Sequence, residues 1–154
     1  MVDFDLGEQF DAVTCLFSSI GYTRTLCALR CAVACMARHL GAGGVLVVEP
    51  CFGPEQWEDG HLSVTVVDAA PGTDADRASK VVRMMRARRE GDISVLDTHY
   101  LVAPAGGISH LTERHELGLF RLEDYADAFE AVGLVATTEN DGLTGRVLVL
   151  GIRR

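Results

Sequence analysis

What this 154-residue sequence has little of narrows its function first. No apolar run approaches the roughly 20 residues that a membrane-crossing helix needs. The longest, around residues 26–37, is interrupted by Arg30. The opening "MVDFDLGEQF" has no basic start and no apolar stretch, so it does not read as a secretory signal. Positive charge is scarce too: 14 Lys and Arg face 22 Asp and Glu, a net charge of −8. That balance argues against non-specific binding to nucleic acid or to an anionic membrane. The five cysteines (Cys15, Cys27, Cys31, Cys35 and Cys51) are odd in number, and most sit in apolar or helical contexts. They point to a reducing compartment, with the cytoplasm as the expected location.

Common catalytic signatures are missing as well. No G-x-S-x-G surrounds Ser18 or Ser19, and no H-E-x-x-H includes any of the five histidines. Neither a nucleophile elbow nor a zinc helix is expected, and no metal site is assigned. "LGAGGVLVVEP" does hold G-x-G-G, but it follows an expected helix and opens an expected strand. A phosphate loop needs the reverse order, so that the unpaired N–H groups of a helix start meet the anion. These glycines therefore read as a helix stop.

What is present suits one α/β domain over residues 1–154, with 48% hydrophobic residues to build a core. "FDAVTCLF" (10–17) predicts a buried strand and "SSIGY" (18–22) a loop. A helix is expected from about Thr25 to Leu40, with Thr23 or Thr25 as its cap. "VLVVEP" is continuously aliphatic, as in a parallel strand covered on both faces. The spacing then changes. "GHLSVTVVDA", "SKVVRMMRARR", "ISVLDTHYLVA" and "ISHLTERHELGLF", with "EGD" and "PAGG" among the connections, predict an antiparallel β insert at about 61–120. "LEDYADAFEAVG" predicts an amphipathic helix that buries Tyr125, Phe129 and Val132 and stops at Gly133. "LVATTE" and "RVLVLGIR" are the closing strands.

Each candidate group carries two readings. Cys27, Cys31 and Cys35, four apart, read as small core residues rather than metal thiolates. Lys80, Arg83, Arg86, Arg88 and Arg89 form either a diphosphate contact or the charged guard of a solvated edge strand. His99 and Tyr100 are a half-buried strand face or a substrate contact. "SSIGY" follows a strand of the expected parallel sheet, where α/β folds bind their ligands. Tyr22 in that loop can orient or deprotonate a substrate group, and Glu49 ends the next strand on the same edge.

At these residues the sequence resembles a known family. "FDAVTCLFSSIGY", "GGVLVVEP", "THYLVAPAGGISHLTERHELGLF", "EDYADAFEAVGL" and "GLTGRVLVLGI" are similar to class I S-adenosylmethionine-dependent methyltransferases. The nearer likeness is to the N,N-dimethyltransferases of nucleotide-linked amino sugars in antibiotic pathways. The resemblance implies a Rossmann-like sheet with strands in the order 4-5-7-6, "FDAVTCLF" being strand 4. It implies the carboxyl-terminal portion of such an enzyme, truncated before strand 4, without the glycine-rich loop that holds the cofactor's methionine portion. S-adenosylmethionine would pass Leu16, Phe17 and Ser18. Tyr22 would stand at the reacting amine, and Ser19, Glu49, His99 and Arg146 would face the nucleotide-linked amino sugar. Two other outcomes stay open: a non-catalytic partner that forms a homodimer or pairs with another chain through the exposed edge of its first strand, and a module that only binds a nucleotide sugar.

Overall fold

The computed structural model describes residues 1–68, 80–103, 107–142 and 145–154. The chain divides into two compact units, one of Met1–Trp57 with Leu117–Arg154 and one of Glu58–Glu116. Residues 69–79, which take the end of "GHLSVTVVDA" and the start of "SKVVRMMRARR", Pro104 to Gly106 of the "PAGG" turn, and Leu143 and Thr144 lie outside the described residues. Among the described residues, no helix is long and apolar enough to cross a membrane.

The first unit is built on β1 (Phe10–Cys15), α1 (Leu26–Arg38), β2 (Leu40–Val48), α2 (Leu122–Glu130), β7 (Leu134–Glu139) and β8 (Leu148–Arg153). Its sheet has the order β1-β2-β8-β7. β1 runs parallel to β2, with Val13 beside Leu46 and Cys15 beside Val48. β8 is antiparallel to both its neighbours. Thr25 caps α1, its hydroxyl accepting from the Ala28 N–H, and this satisfies one of the donors a helix start leaves unpaired. α2 opens with the Arg121 N–H donating to the Asp124 carboxylate at 2.7 Å, and it is followed by Gly133 at φ +78°.

Leu29, Val33 and Met36 on α1 share a core with Tyr125 and Phe129 on α2 and with Leu46 on β2. Burying each large side chain contributes about 1.5–3 kcal/mol. Phe129 fits because β8 carries Gly151 against it: a Cβ there would stand 2.5 Å from the ring. The three cysteines of α1 depart from expectation. Cys35 is buried, but Cys27 and Cys31 are exposed, since the buried stripe runs through Leu29, Ala32, Val33 and Met36 instead.

The glycines of "GAGG" also depart from expectation. α1 ends at Arg38, and Gly41 to Gly44 lie inside β2. The reason is close approach: a Cβ on Gly44 would stand 3.0 Å from the Phe10 carbonyl oxygen and 3.3 Å from that of Asp11.

The second sheet has the order β3-β4-β5-β6, formed by Leu62–Asp68, Lys80–Glu90, Ile93–Ala103 and Ser109–Gly118. β4 is therefore an inner strand, which corrects the edge-strand reading of its arginines. Arg88 pairs with Asp97 at 3.0 Å and with Glu90, and Arg89 pairs with Asp92 at 3.4 Å. On this sheet His99 Nδ1 and His110 Nε2 are 2.9 Å apart.

Candidate functional site

The site lies in the first unit, where β1 and β2 end side by side. After β1 the backbone makes an unusual turn. Phe17 and Ser18 both have positive φ, at 53° and 59°, and Arg24 repeats this at 59°. Such conformations strain a residue with a Cβ and persist only where surrounding contacts enforce them. Between them Ser19–Thr23 forms a short 3-10 turn, so "SSIGY" is more ordered than a plain loop. Ile20 anchors that turn in the core and leaves Tyr22 51% exposed.

Glu49 supplies the enforcing contacts. It follows β2 directly, has no solvent exposure, and its own N–H donates to the Cys15 carbonyl. Oε2 accepts the Phe17 N–H at 2.6 Å, and Oε1 faces Arg146 Nη2 at 3.4 Å. Arg146 Nη1 donates to the Ser18 hydroxyl at 2.6 Å, and that hydroxyl donates to the Pro50 carbonyl at 3.3 Å. One carboxylate and one guanidinium thus fix both strained residues. A buried charge persists when paired and hydrogen-bonded in this way.

Arg146, 28% exposed, also lines a cavity of about 740 Å³ together with Pro50, Cys51, Phe52, Arg121 and Gly145. Arg121 is paired with Glu55 at 3.1 Å. Burial pushes the Cys51 thiol up from its ordinary value, against smaller opposing effects from the Phe52 backbone, Ser18 and Arg146. The lining is mixed in charge, with Arg121 and Arg146 balanced by Glu55 and Glu123, and Phe52 adds an exposed aromatic face.

Of the residues singled out from the sequence, Phe17, Ser18, Glu49 and Arg146 come together here. Leu16 lies in the same turn, accepting the Ser19 N–H with its carbonyl. Glu49 is enclosed, so any ligand feels it through Arg146 and the turn rather than by touching it. Ser18 is likewise buried, with its hydroxyl engaged on both sides. The Phe17 ring, 68% exposed, leaves an apolar face open to a ligand. His99 belongs to the other unit, where it pairs with His110. Cys51, Phe52 and Arg121 were not singled out. The first two follow a strand end, which is a usable signal, whereas Arg121 carries none. Among the described residues no group of three or more His, Cys, Asp and Glu is arranged to hold a metal.

No family model matches the chain. Known proteins do. The chain is 40% identical over 153 residues to dTDP-3-amino-3,4,6-trideoxy-alpha-D-glucopyranose N,N-dimethyltransferase of Streptomyces venezuelae, covering 99% of itself and 62% of that protein. It is 38% identical over 152 residues to dTDP-4-amino-2,3,4,6-tetradeoxy-D-glucose N,N-dimethyltransferase of Saccharopolyspora spinosa, covering 98% of itself and 58% of that protein. Among solved structures, DesVI of Streptomyces venezuelae superposes with a TM-score of 0.91 at 38% identity, over 99% of this chain and 62% of that one. The S-adenosylmethionine-bound amino pentose methyltransferase CalS10 of Micromonospora echinaspora gives 0.85 at 37%, again over 99% and 62%. The chain therefore spans about three fifths of the length of these relatives. Along nearly its whole length it is a homologue of the sugar N,N-dimethyltransferases and has an α/β methyltransferase fold.

Proposed function

We propose that the protein serves S-adenosylmethionine-dependent N-methylation of a nucleotide-linked amino sugar. The observation that carries this reading is the union of Phe17, Ser18, Glu49 and Arg146 at the carboxyl ends of two parallel strands, beside a cavity with two guanidinium groups. Ligands of open α/β sheets bind at that edge. The sheet order β1-β2-β8-β7 supports equating these strands with the family's strands 4, 5, 7 and 6.

Leu16 and the exposed face of Phe17 would border S-adenosylmethionine, which supplies, when bound, a methyl group already activated by its sulfonium. The protein's task is to hold the amine uncharged, in line and away from water. Tyr22, exposed to water, would orient the amine and relay its proton, the phenol oxygen accepting it as the hydroxyl proton passes to water. Arg146 and Arg121 face the phosphates or sugar hydroxyls, for which planar guanidinium groups are suited. Glu49 and Ser18 act through the turn they hold. Calorimetry with a dTDP-linked 3-amino-3,4,6-trideoxyglucopyranose tests the reading. Binding that weakens about tenfold or more in Arg146→Ala is expected, together with transfer of labelled methyl from S-adenosylmethionine. Absence of both binding and transfer refutes it.

A second reading rests on β1. It pairs with β2 on one flank, and among the described residues no strand pairs with the other. Such an edge is a template for another chain, so a non-catalytic partner or a homodimer formed through β1 is the alternative. Light scattering on the purified protein separates the two: a monomer at all concentrations removes the dimer.

A further inference from the structure

We propose that His39 is a two-position fastening that holds residues 2–7 to the end of α1, through the Leu6 N–H when the ring is neutral and through Asp5 when it is protonated. His39 is 3% exposed and follows α1 directly. Both ring nitrogens are engaged. Nδ1 lies 2.7 Å from the Cys35 carbonyl oxygen, and Nε2 lies 2.9 Å from the Leu6 backbone nitrogen. A carbonyl can only accept and a backbone N–H can only donate. The two partners together therefore select one form: the neutral ring with its proton on Nδ1. The segment is held elsewhere along its length as well. Phe4 stacks on the His39 ring at 4.8 Å, its carbonyl accepts from Arg38 at 3.0 Å, and the Val2 carbonyl accepts from the Cys35 thiol at 3.2 Å.

A second proton on the ring sets Nε2–H against the Leu6 N–H, two donors face to face, and that bond is lost. A replacement acceptor stands close by, because Asp5 Oδ1 is 3.6 Å from Nε2. The Gly7 N–H, His39 and Arg38 hold the Asp5 carboxyl below its ordinary value, so it is ionised throughout the histidine range. Protonation thus exchanges one fastening for another. The other titratable and charged groups nearby are Cys35 and Arg38 on α1, which bond each other and the segment's carbonyls, and Arg153 on β8, whose Nη1 donates to the Ala37 and Leu40 carbonyls on either side of His39. The His39 carbonyl accepts the Phe10 N–H at 2.7 Å, so this fastening sits where the segment enters β1.

Nuclear magnetic resonance from pH 8 to pH 5 on the intact chain tests this. At pH 8 the ring spectrum should show the proton on Nδ1. On acidification the Leu6 amide, corrected for intrinsic exchange, should lose about tenfold protection with the midpoint of the ring. In His39→Gln, whose amide donates and accepts without titrating, that protection should stay level. Asp5→Ala, which removes the acceptor at an exposed position, should let a protease cut the segment at pH 5 and not at pH 8. A proton on Nε2 at pH 8, or Leu6 protection unchanged while the ring titrates, overturns the proposal. So does equal cleavage of Asp5→Ala at both pH values, which remains decisive if His39→Gln does not fold.

Discussion

Arg146 lies 3.4 Å from Glu49, and the carboxylate in that pair has no contact with solvent. The pair ties the loop before β8 to the end of β2, and through the Phe17 N–H and the Ser18 hydroxyl it fixes the strained turn after β1. Three segments distant in sequence therefore depend on one charge balance.

Removing both members of the pair should cost less than the two single removals added together. Arg146→Ala leaves a buried carboxylate without its cation, and about 3 kcal/mol of stability should be lost in urea unfolding. Glu49→Gln keeps an acceptor for the Phe17 N–H, so it should cost less. The double variant should fall short of the sum of the two by about 1–2 kcal/mol. Strict additivity would mean that the two side chains do not depend on each other.

Alkaline pH should destabilise the protein. Burial raises the Cys15 and Cys51 thiols above their ordinary value, and the Tyr125 phenol is raised by burial and then by both neighbouring thiols. Above about pH 9 the unfolded chain releases protons that the folded chain retains, so stability must fall as pH rises. Urea midpoints should hold level from pH 7 to about 8.5 and decline beyond. Tyr125→Phe should flatten the decline above about pH 10, where the unfolded phenol ionises.

Much of this fold was legible in local pattern. "LVATTE" and "ISVLDTHYLVA" form strands over the residues expected, because alternating or aliphatic runs between turn residues leave few options. The errors arose where a distant contact decides. "GAGG" obeys the local rule for a helix stop, but Gly44 answers to the carbonyls of Phe10 and Asp11, which only the fold brings near. The site shows the same limit. Tyr22 was visible as a residue type in a suggestive place, and Arg146 through the family resemblance. That Glu49 is enclosed and acts through Arg146 was not, because an acid at a strand end ordinarily faces water.

Gly151→Ala should show how tightly the sheet meets α2. The added methyl would stand 2.5 Å from Phe129 Cδ1 and 3.0 Å from Leu134 Cβ, both deeply buried. Neither group has room to retreat, so overpacking should cost about 1–3 kcal/mol in chemical denaturation. A neutral result would mean that α2 can shift on the sheet.

Tyr22→Phe separates the proton-handling role from packing. The ring is 51% exposed and the 3-10 turn is anchored by Ile20, so stability should stay within about 0.5 kcal/mol of the wild type. If the phenol orients the amine and relays its proton to water, the methyl-transfer rate should drop by a factor of about 100 or more, while nucleotide-sugar affinity should change little. The loss should ease as pH rises and more of the substrate amine is uncharged in solution, because the hydroxyl's task is then partly done by the solvent. A rate unchanged at every pH would reduce Tyr22 to a surface residue and move the proton-accepting role to another group.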